Sequence, residues 1–328
     1  MKVLVIGSNS FSGSDFIDLL LEDESNEVVG ISRSPEKSSL FLSYKRHNDP
    51  RFKFYQLNLN DDADRIAGVV EQFKPEYVVN FAAQSEVAPS WDYPEHWFQT
   101  NTVALASLIK TLRRCRHLKR YVHISSPEVY GSCKGQVLET APLNPTTPYA
   151  ASKAAADLLL FTYVKNFDFP LVIIRSTNVY GPHQQLWKII PRSIIQLRSG
   201  RKIALHGGGK AMKSYIHIRD ISRGELAAMI NGTIGSIYHL SPDGGISVRN
   251  VVEMICRTMG CEFDKSTIAV DERLGQDAVY VIDSTKARSE LKWLPEIEIQ
   301  DGIKGVIQWI ERDWSEVQKQ SLEYVHRP

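Results

Sequence analysis

An α/β fold, a doubly wound parallel sheet with a smaller C-terminal lobe, follows from three features of this 328-residue sequence. Short β-rich runs alternate with amphipathic helical stretches through the first two-thirds of the chain. The runs are apolar almost throughout, as expected of strands covered on both faces. The first run leads directly into a glycine-containing turn, Gly7 to Gly13, that opens a helix.

Taken in order, Lys2–Ile6 reads as a strand, Phe11–Glu22 as a helix and Glu27–Ser32 as a second strand. Phe52–Asn58 is a third strand, Ala63–Gln72 a helix and Tyr77–Ala82 a fourth strand. Trp97–Cys115 reads as a long helix, Tyr121–Ser125 as a strand, Pro148–Asn166 as another long helix and Leu171–Ser176 as a further strand. Ligands of such sheets bind at the carboxyl ends of the strands. After Gly181-Pro182 the rhythm loosens. Ile189–Arg198 and Ile221–Met229 look helical, with the Gly207-Gly208-Gly209 turn and a strand at Tyr215–Ile218 between them, and Val248–Met259 and Gly302–Arg312 are further amphipathic helices. Residues 1–181 are therefore expected to form a dinucleotide-binding domain and 182–328 mainly a substrate-binding lobe, with one strand and one helix free to return to the main sheet.

The totals exclude several classes. A formal net charge of +1 gives no electrostatic basis for binding nucleic acid or a membrane surface. No apolar run approaches the roughly 20 residues of a membrane span, and the apolar start at Met1 is too short for a signal peptide. The four cysteines (Cys115, Cys133, Cys256, Cys261) show neither Cys-x-x-Cys spacing nor partner histidines, so no metal site is expected. They read as reduced cytoplasmic thiols.

Gly7-Ser8-Asn9-Ser10-Phe11-Ser12-Gly13 joins the first strand to the first helix, where a pyrophosphate can approach the backbone and rest on the helix N-terminus. This is the phosphate loop of a Rossmann-like fold, with Ser10 in place of the middle glycine. At the end of the second strand Ser32 stands where an acidic residue would select NAD, and Arg33 follows. Small hydroxyls and a guanidinium suit a 2′-phosphate, so either NADP or NAD is expected, with NADP favoured. Asn58 and Leu59 are placed to reach the adenine, and Ala82, Ala83 and Gln84 to leave room for a ribose.

Tyr149 and Lys153 lie four residues apart, on one face of a helix. A phenol titrates near pH 10, and a neighbouring ammonium with an oxidised nicotinamide favours phenolate. Lowering it by about three units requires roughly 4 kcal/mol. Tyr149 is then the base for a sugar hydroxyl, Lys153 a holder of the nicotinamide ribose, and Ser126 the group that orients the hydroxyl. Glu128 decides the reaction class. Once C4 of a hexose is a ketone its C5 proton is acidic, and a carboxylate there can remove it so that the C6 hydroxyl leaves as water.

These stretches resemble the extended short-chain dehydrogenases/reductases, and within them the nucleotide-diphosphate-sugar 4,6-dehydratases of the dTDP-glucose and GDP-mannose types. The likeness covers nearly the whole chain. It runs through the phosphate loop, Ala82-Ala83-Gln84-Ser85-x-Val87, Ser126-x-Glu128-Val129-Tyr130-Gly131, Tyr149-x-x-x-Lys153, Asn178-Val179-Tyr180-Gly181-Pro182, Lys188-Ile189-Ile190-Pro191 and Arg273-Leu274-Gly275-Gln276-Asp277. The resemblance implies that Ser126, Glu128, Tyr149 and Lys153 are catalytic. It implies that Ser85, Glu86, Ser126, Asn178, Lys188, Lys213 and Arg273 contact a sugar nucleotide, with Lys213 where the family usually has arginine. It also implies a homodimer paired through the two long helices.

One departure stands out. Relatives of the dTDP-glucose type carry an aspartate at the position of Pro127, to protonate the departing oxygen, and a proline donates nothing. The expected activity is an internal-redox 4,6-dehydration in which Glu128 handles both protons. The alternatives are a sugar-nucleotide epimerase or decarboxylase of the same fold, in which Glu128 would be dispensable, and a non-catalytic dinucleotide-binding protein.

Overall fold

The structure, a computed structural model, describes residues 1–46, 48–132, 135–271 and 281–327. The first half comprises β1 (Lys2–Ile6), α1 (Phe11–Leu20), β2 (Glu27–Ser32), β3 (Phe52–Gln56), α2 (Ala63–Phe73), β4 (Tyr77–Asn80), α3 (Pro94–Phe98), α4 (Leu105–Leu112), β5 (Arg120–Ile124), β6 (Gln136–Val137), α5 (Pro148–Phe167), β7 (Leu171–Ser176) and β8 (Asn178–Tyr180). The second comprises α6 (Ile189–Arg198), β9 (Ile203–His206), β10 (Met212–Lys213), β11 (Tyr215–His217), α7 (Ile218–Asn231), β12 (Ser236–Leu240), β13 (Ile246–Ser247), α8 (Val248–Thr258), α9 (Phe263–Ser266), β14 (Thr267–Val270), β15 (Val281–Ile282), α10 (Thr285–Leu291), α11 (Ile299–Arg312) and α12 (Trp314–Val317).

Seven strands form one parallel sheet in the order β12-β7-β5-β4-β1-β2-β3. Strand order reverses at β1 and β4, which opens a crevice at their carboxyl ends. Val3 to Ile6 are completely buried; each such side chain contributes about 1.5–3 kcal/mol, which is why the run carries no polar alternation. One face packs against α1 and α7 through Phe16, Ile17, Ile221 and Met229. The other packs against α2, α4 and α5 through Ile66, Val70, Leu108 and Leu160. A separate core joins α6, α8 and α11 through Ile194, Val251, Ile255, Val306 and Trp309.

Three readings of the sequence need correction. The expected helix Trp97–Cys115 begins earlier, at Pro94, and is divided by a π-helical stretch, Gln99–Ala104. Proline is suited to the first helical position. The widened turn carries the buried Asn101, whose amide grips the backbone of Gln84 in both directions (2.8 and 3.0 Å). Secondly, β3 and β4 stop at Gln56 and Asn80, before their expected ends at Asn58 and Ala82. Asn58 is drawn into a turn by Asp62, which accepts its backbone N–H at 2.8 Å, and Asn80 folds back on the N–H of Ala82 at 3.0 Å. Thirdly, β12 was not assigned from the sequence; it pairs in parallel with β7 and completes the sheet.

Candidate active site

The phosphate loop is built by two glycines and one serine. Gly7 has φ +86°, and a Cβ there would lie 2.6 Å from the Ala82 nitrogen; one on Gly13 would lie 2.4 Å from the Gly7 carbonyl oxygen. Ser10, in place of the middle glycine, caps α1 by accepting the Gly13 N–H at 2.9 Å. The N–H groups of Phe11 and Ser12, in the first turn, have no acceptor within the helix. Together with its dipole they form a seat for an anion. This cradle, too close for side chains at its two glycines, fits the pyrophosphate of a dinucleotide.

Ser32 and Asn9 hold the loop in shape. Ser32 Oγ accepts the Asn9 N–H at 2.9 Å, and the Asn9 amide donates to the Ser34 and Pro35 carbonyls, both at 2.9 Å. These bonds fix the loop from behind, while the Asn9 side-chain oxygen is buried without a hydrogen-bond partner. Asn58 is likewise held by Asp61 and Asp62, and Leu59 is buried in the core beneath α2. Arg33 and Lys37 lie in the segment after β2, where Lys37 donates to the Asn9 carbonyl at 3.0 Å. Desolvation, and beyond it the Arg327 charge, lowers the pKa of both.

Arg327 belongs to an irregular segment, residues 321–327, whose placement here no local sequence pattern announces. Tyr324 packs edge-on against Trp187, and His326 stacks on Trp97 and bonds His96 at 2.9 Å. The Arg327 carbonyl accepts the Gln84 side-chain N–H at 2.7 Å. The Gln84 side chain is therefore held by the backbone of Arg327.

A cavity of about 530 Å³ opens over the crevice, within the range of small-molecule sites. It gathers Ser10, Phe11 and Ser12 from the loop and Ala83 and Ser85 from the segment after β4. Ser126, Tyr149 and Lys153 line it from the segment after β5 and from α5, Asn178 from β8, and Lys188 and Lys213 from the second half. Lys188 is paired with Glu86 at 2.7 Å. Arg192 and His206, which the sequence reading missed, also line the cavity. Arg192 lies one turn beyond Lys188, a spacing that was legible; nothing near His206 marks it. Arg273 lies outside the described residues. Among the described residues no group of histidine, cysteine or acidic side chains could hold a metal ion, and no helix is long and apolar enough to cross a membrane.

The reacting groups converge where β5 ends. Ser126 caps a 3-10 turn, Pro127–Tyr130, accepting the Glu128 N–H at 3.2 Å. Pro127, at the first position of that turn, is buried. Thr147 caps α5 by accepting the Ala150 N–H at 3.1 Å, with Pro148 at its first position. This places Tyr149 and Lys153 one turn apart and facing the end of β5. Lys153 Nζ donates to the Ile124 carbonyl at 2.6 Å, and burial brings its pKa down to about 8 despite the opposing charge of Asp157. Tyr149 is hydrogen-bonded to Ser126, yet burial first and the Glu128 carboxylate second raise its pKa. Burial and the Glu128 charge thus favour the protonated phenol, and the Ser126 hydrogen bond opposes them. Glu128 does not line the cavity, but its charge reaches the phenol.

The sequence model of the GDP-mannose 4,6 dehydratase family matches residues 4–306. The chain belongs to this family. It is 30% identical over 328 residues to the human dTDP-D-glucose 4,6-dehydratase, covering 97% of this chain and 93% of that one. It is 31% identical to the dTDP-glucose 4,6-dehydratase of Streptomyces niveus, covering 100% and 98%. Among solved structures, the dTDP-glucose 4,6-dehydratase of Streptomyces venezuelae with NAD bound superposes with a TM-score of 0.88 at 29% identity, over 96% of this chain and 98% of that one. A UDP-glucose 4-epimerase from Thermotoga maritima reaches a TM-score of 0.87 at 23% identity over 96% and 100%, a likeness of fold alone. The extended short-chain dehydrogenase/reductase architecture is therefore common to this chain and to both activities.

Proposed function

We propose that this chain is a nucleotide-diphosphate-hexose 4,6-dehydratase with dTDP-glucose as its substrate. The observation that carries the reading is Glu128 beside the Ser126–Tyr149 pair, its charge acting on the phenol. The names of the relatives at 30% and 31% identity support the choice of nucleotide.

In this reading Tyr149 accepts the proton of the C4 hydroxyl, which Ser126 orients, while Lys153 sets its ammonium beside the phenol. A nicotinamide dinucleotide bound at the loop supplies hydride removal from C4 and its return to C6. The C4 ketone acidifies the C5 proton, which Glu128 removes. Pro127 has no proton to give, so Glu128 also passes one to the departing C6 hydroxyl, directly or through water, in a syn elimination. Hydride addition at C6 is completed by a proton at C5, equivalent to the one Tyr149 took from the C4 hydroxyl, and the product is a 4-keto-6-deoxy sugar. Arg192 and Lys213 are the cations placed to meet the diphosphate.

The finer cofactor reading is NADP. Ser32 in place of an acid, with Arg33, Lys37 and Arg327 nearby, supports it; the solved dehydratase named above lends it no support, since its dinucleotide is NAD. Titrating the protein with each form decides between them. Residues 182–328 are the substrate lobe apart from α7, β12 and α10 with Trp293, which share the core of the main sheet. A homodimer through α3–α5 is supported by the exposed Phe98, Val103 and Leu158 on those helices. A cytoplasmic location is supported by Cys115, Cys256 and Cys261, which are free thiols.

The test is incubation with dTDP-glucose, GDP-mannose, UDP-N-acetylglucosamine and CDP-glucose, followed by mass spectrometry. Loss of one water from dTDP-glucose is the expected result. Turnover of any of them without loss of water would identify an epimerase instead.

A further inference from the structure

Beneath the cavity lies a buried polar cluster that the mechanism above does not use. Lys153 is 2% exposed, and the partners of its Nζ, the Ile124 carbonyl at 2.6 Å and His123 Nε2 at 3.5 Å, carry no negative charge. An ammonium buried without a counter-charge is costly. One turn further along α5, on the same face, stands Asp157, which is fully buried. Its Oδ2 accepts from Ser125 Oγ and from Arg175 Nη2, both at 2.7 Å. Its Oδ1 has no hydrogen bond and lies 3.8 Å from His123 Nε2, on the side of Lys153.

Arg175 is itself fixed from behind. It stacks over the Tyr130 ring at 4.6 Å and donates to the Tyr130 hydroxyl, which shares a 2.7 Å bond with His239 Nε2; His239 Nδ1 in turn meets the Asp283 carbonyl at 3.0 Å. Burial holds both His123 and His239 neutral. The groups around Lys153 are thus Tyr149 and Asp157 from α5, His123 and Tyr121 from β5, Arg175 from β7, and Glu128 beyond Tyr149. Within the buried cluster, among the described residues, Asp157 is the one carboxylate.

We propose that Asp157 is a positioning residue that holds Lys153 as an ammonium against the end of β5, with His123 between them and Arg175 fixing the carboxylate. The proposal rests on the dehydratase reading only for its catalytic consequence: without the charge of Asp157, Lys153 gives up its proton at lower pH, and the help it gives Tyr149 is lost.

Two measurements on the full-length protein test it. Asp157→Asn is expected to move the alkaline limb of kcat for dTDP-glucose about one pH unit or more toward acid, the usual effect of losing a nearby opposite charge, while Asp157→Glu restores it. Competitive acetylation of Lys153 with trace acetic anhydride, read by peptide mass spectrometry, is expected to show the same shift in the amine's titration without any turnover. That second readout separates failure of this proposal from failure of the dehydratase reading. Should the lone Arg175 prevent Asp157→Asn from folding, Asp157→Asn with Arg175→Met removes the stranded guanidinium and carries the same expectation. A Lys153 titration unmoved in a folded variant, or activity lowered by one factor at every pH, overturns the proposal.

Discussion

The Glu128 carboxylate raises the proton affinity of Tyr149, second only to burial, while the Ser126 hydroxyl bonded to the phenol works against it. The two groups to which the proposed reaction gives successive steps on neighbouring carbons are therefore electrostatically coupled. Glu128→Gln should reduce dehydration by about 10²-fold or more, the scale of losing a general acid–base group, yet leave C4 oxidation intact. With the carboxylate gone the phenol titrates lower, so oxidation should persist to more acidic pH. Absorbance of reduced nicotinamide in a single turnover reads this; a variant that still releases water at the wild-type rate would contradict the assignment.

Ser126→Ala has the opposite sign. Removing the hydrogen bond that favours phenolate leaves burial and Glu128 unopposed. C4 oxidation should fall by about tenfold or more, each tenfold being about 1.4 kcal/mol, and its acid limb should move to higher pH. A pH profile of the single-turnover rate gives both numbers.

Pro127 is buried at the start of its turn and offers no proton. Pro127→Ser should therefore change kcat by less than about threefold, with a stability change within the roughly 0.5–3 kcal/mol of ordinary substitutions. A collapse of dehydration alone, with oxidation unchanged, would show that the proline does more than occupy the turn.

Glu225 on α7 is fully buried with neither carboxylate oxygen bonded, and burial, with Asp15 adding to it, raises its pKa well above the usual range. An acid whose folded pKa is raised stabilises the fold when protonated and loses that contribution as pH rises from about 4.5. Glu225→Met should raise Tm by about 2 °C or more at pH 8 and by less at pH 5. Calorimetry at the two pH values checks it.

The segment Ser321–Arg327 bridges Trp187 in the second half to Gln84, His96 and Trp97 in the first. Deleting residues 321–328 should speed dinucleotide release by about tenfold or more while leaving kcat at saturating cofactor near the wild-type value. Stopped-flow displacement measures the rate; an unchanged rate would mean the segment only decorates the surface.

Strand periodicity, the Gly7–Gly13 loop and the Tyr149–Lys153 spacing were legible because each is a local pattern. The loop's inner bonding was not, because whether Ser32 faces a ribose or Asn9 depends on how two loops settle against each other. Nor was β12 legible: its buried Tyr238 and His239 interrupt the apolar run, and their partners, Glu290 and Tyr130, are remote in sequence. The place of Asp157 is not legible in the sequence, because Arg175, which binds it, comes from a separate strand.

The place of β12 bears on how the protein is made. The edge of β7 that receives β12 belongs to the first half of the chain, and its partner is synthesised only after α6 and α7. Until residue 240 leaves the ribosome, β7 presents an open strand edge, apolar from Leu171 to Ile174, the kind of surface that recruits stray strands. Chaperone dependence should therefore be concentrated in that interval of synthesis, and a fragment ending at residue 181 would carry the open edge permanently.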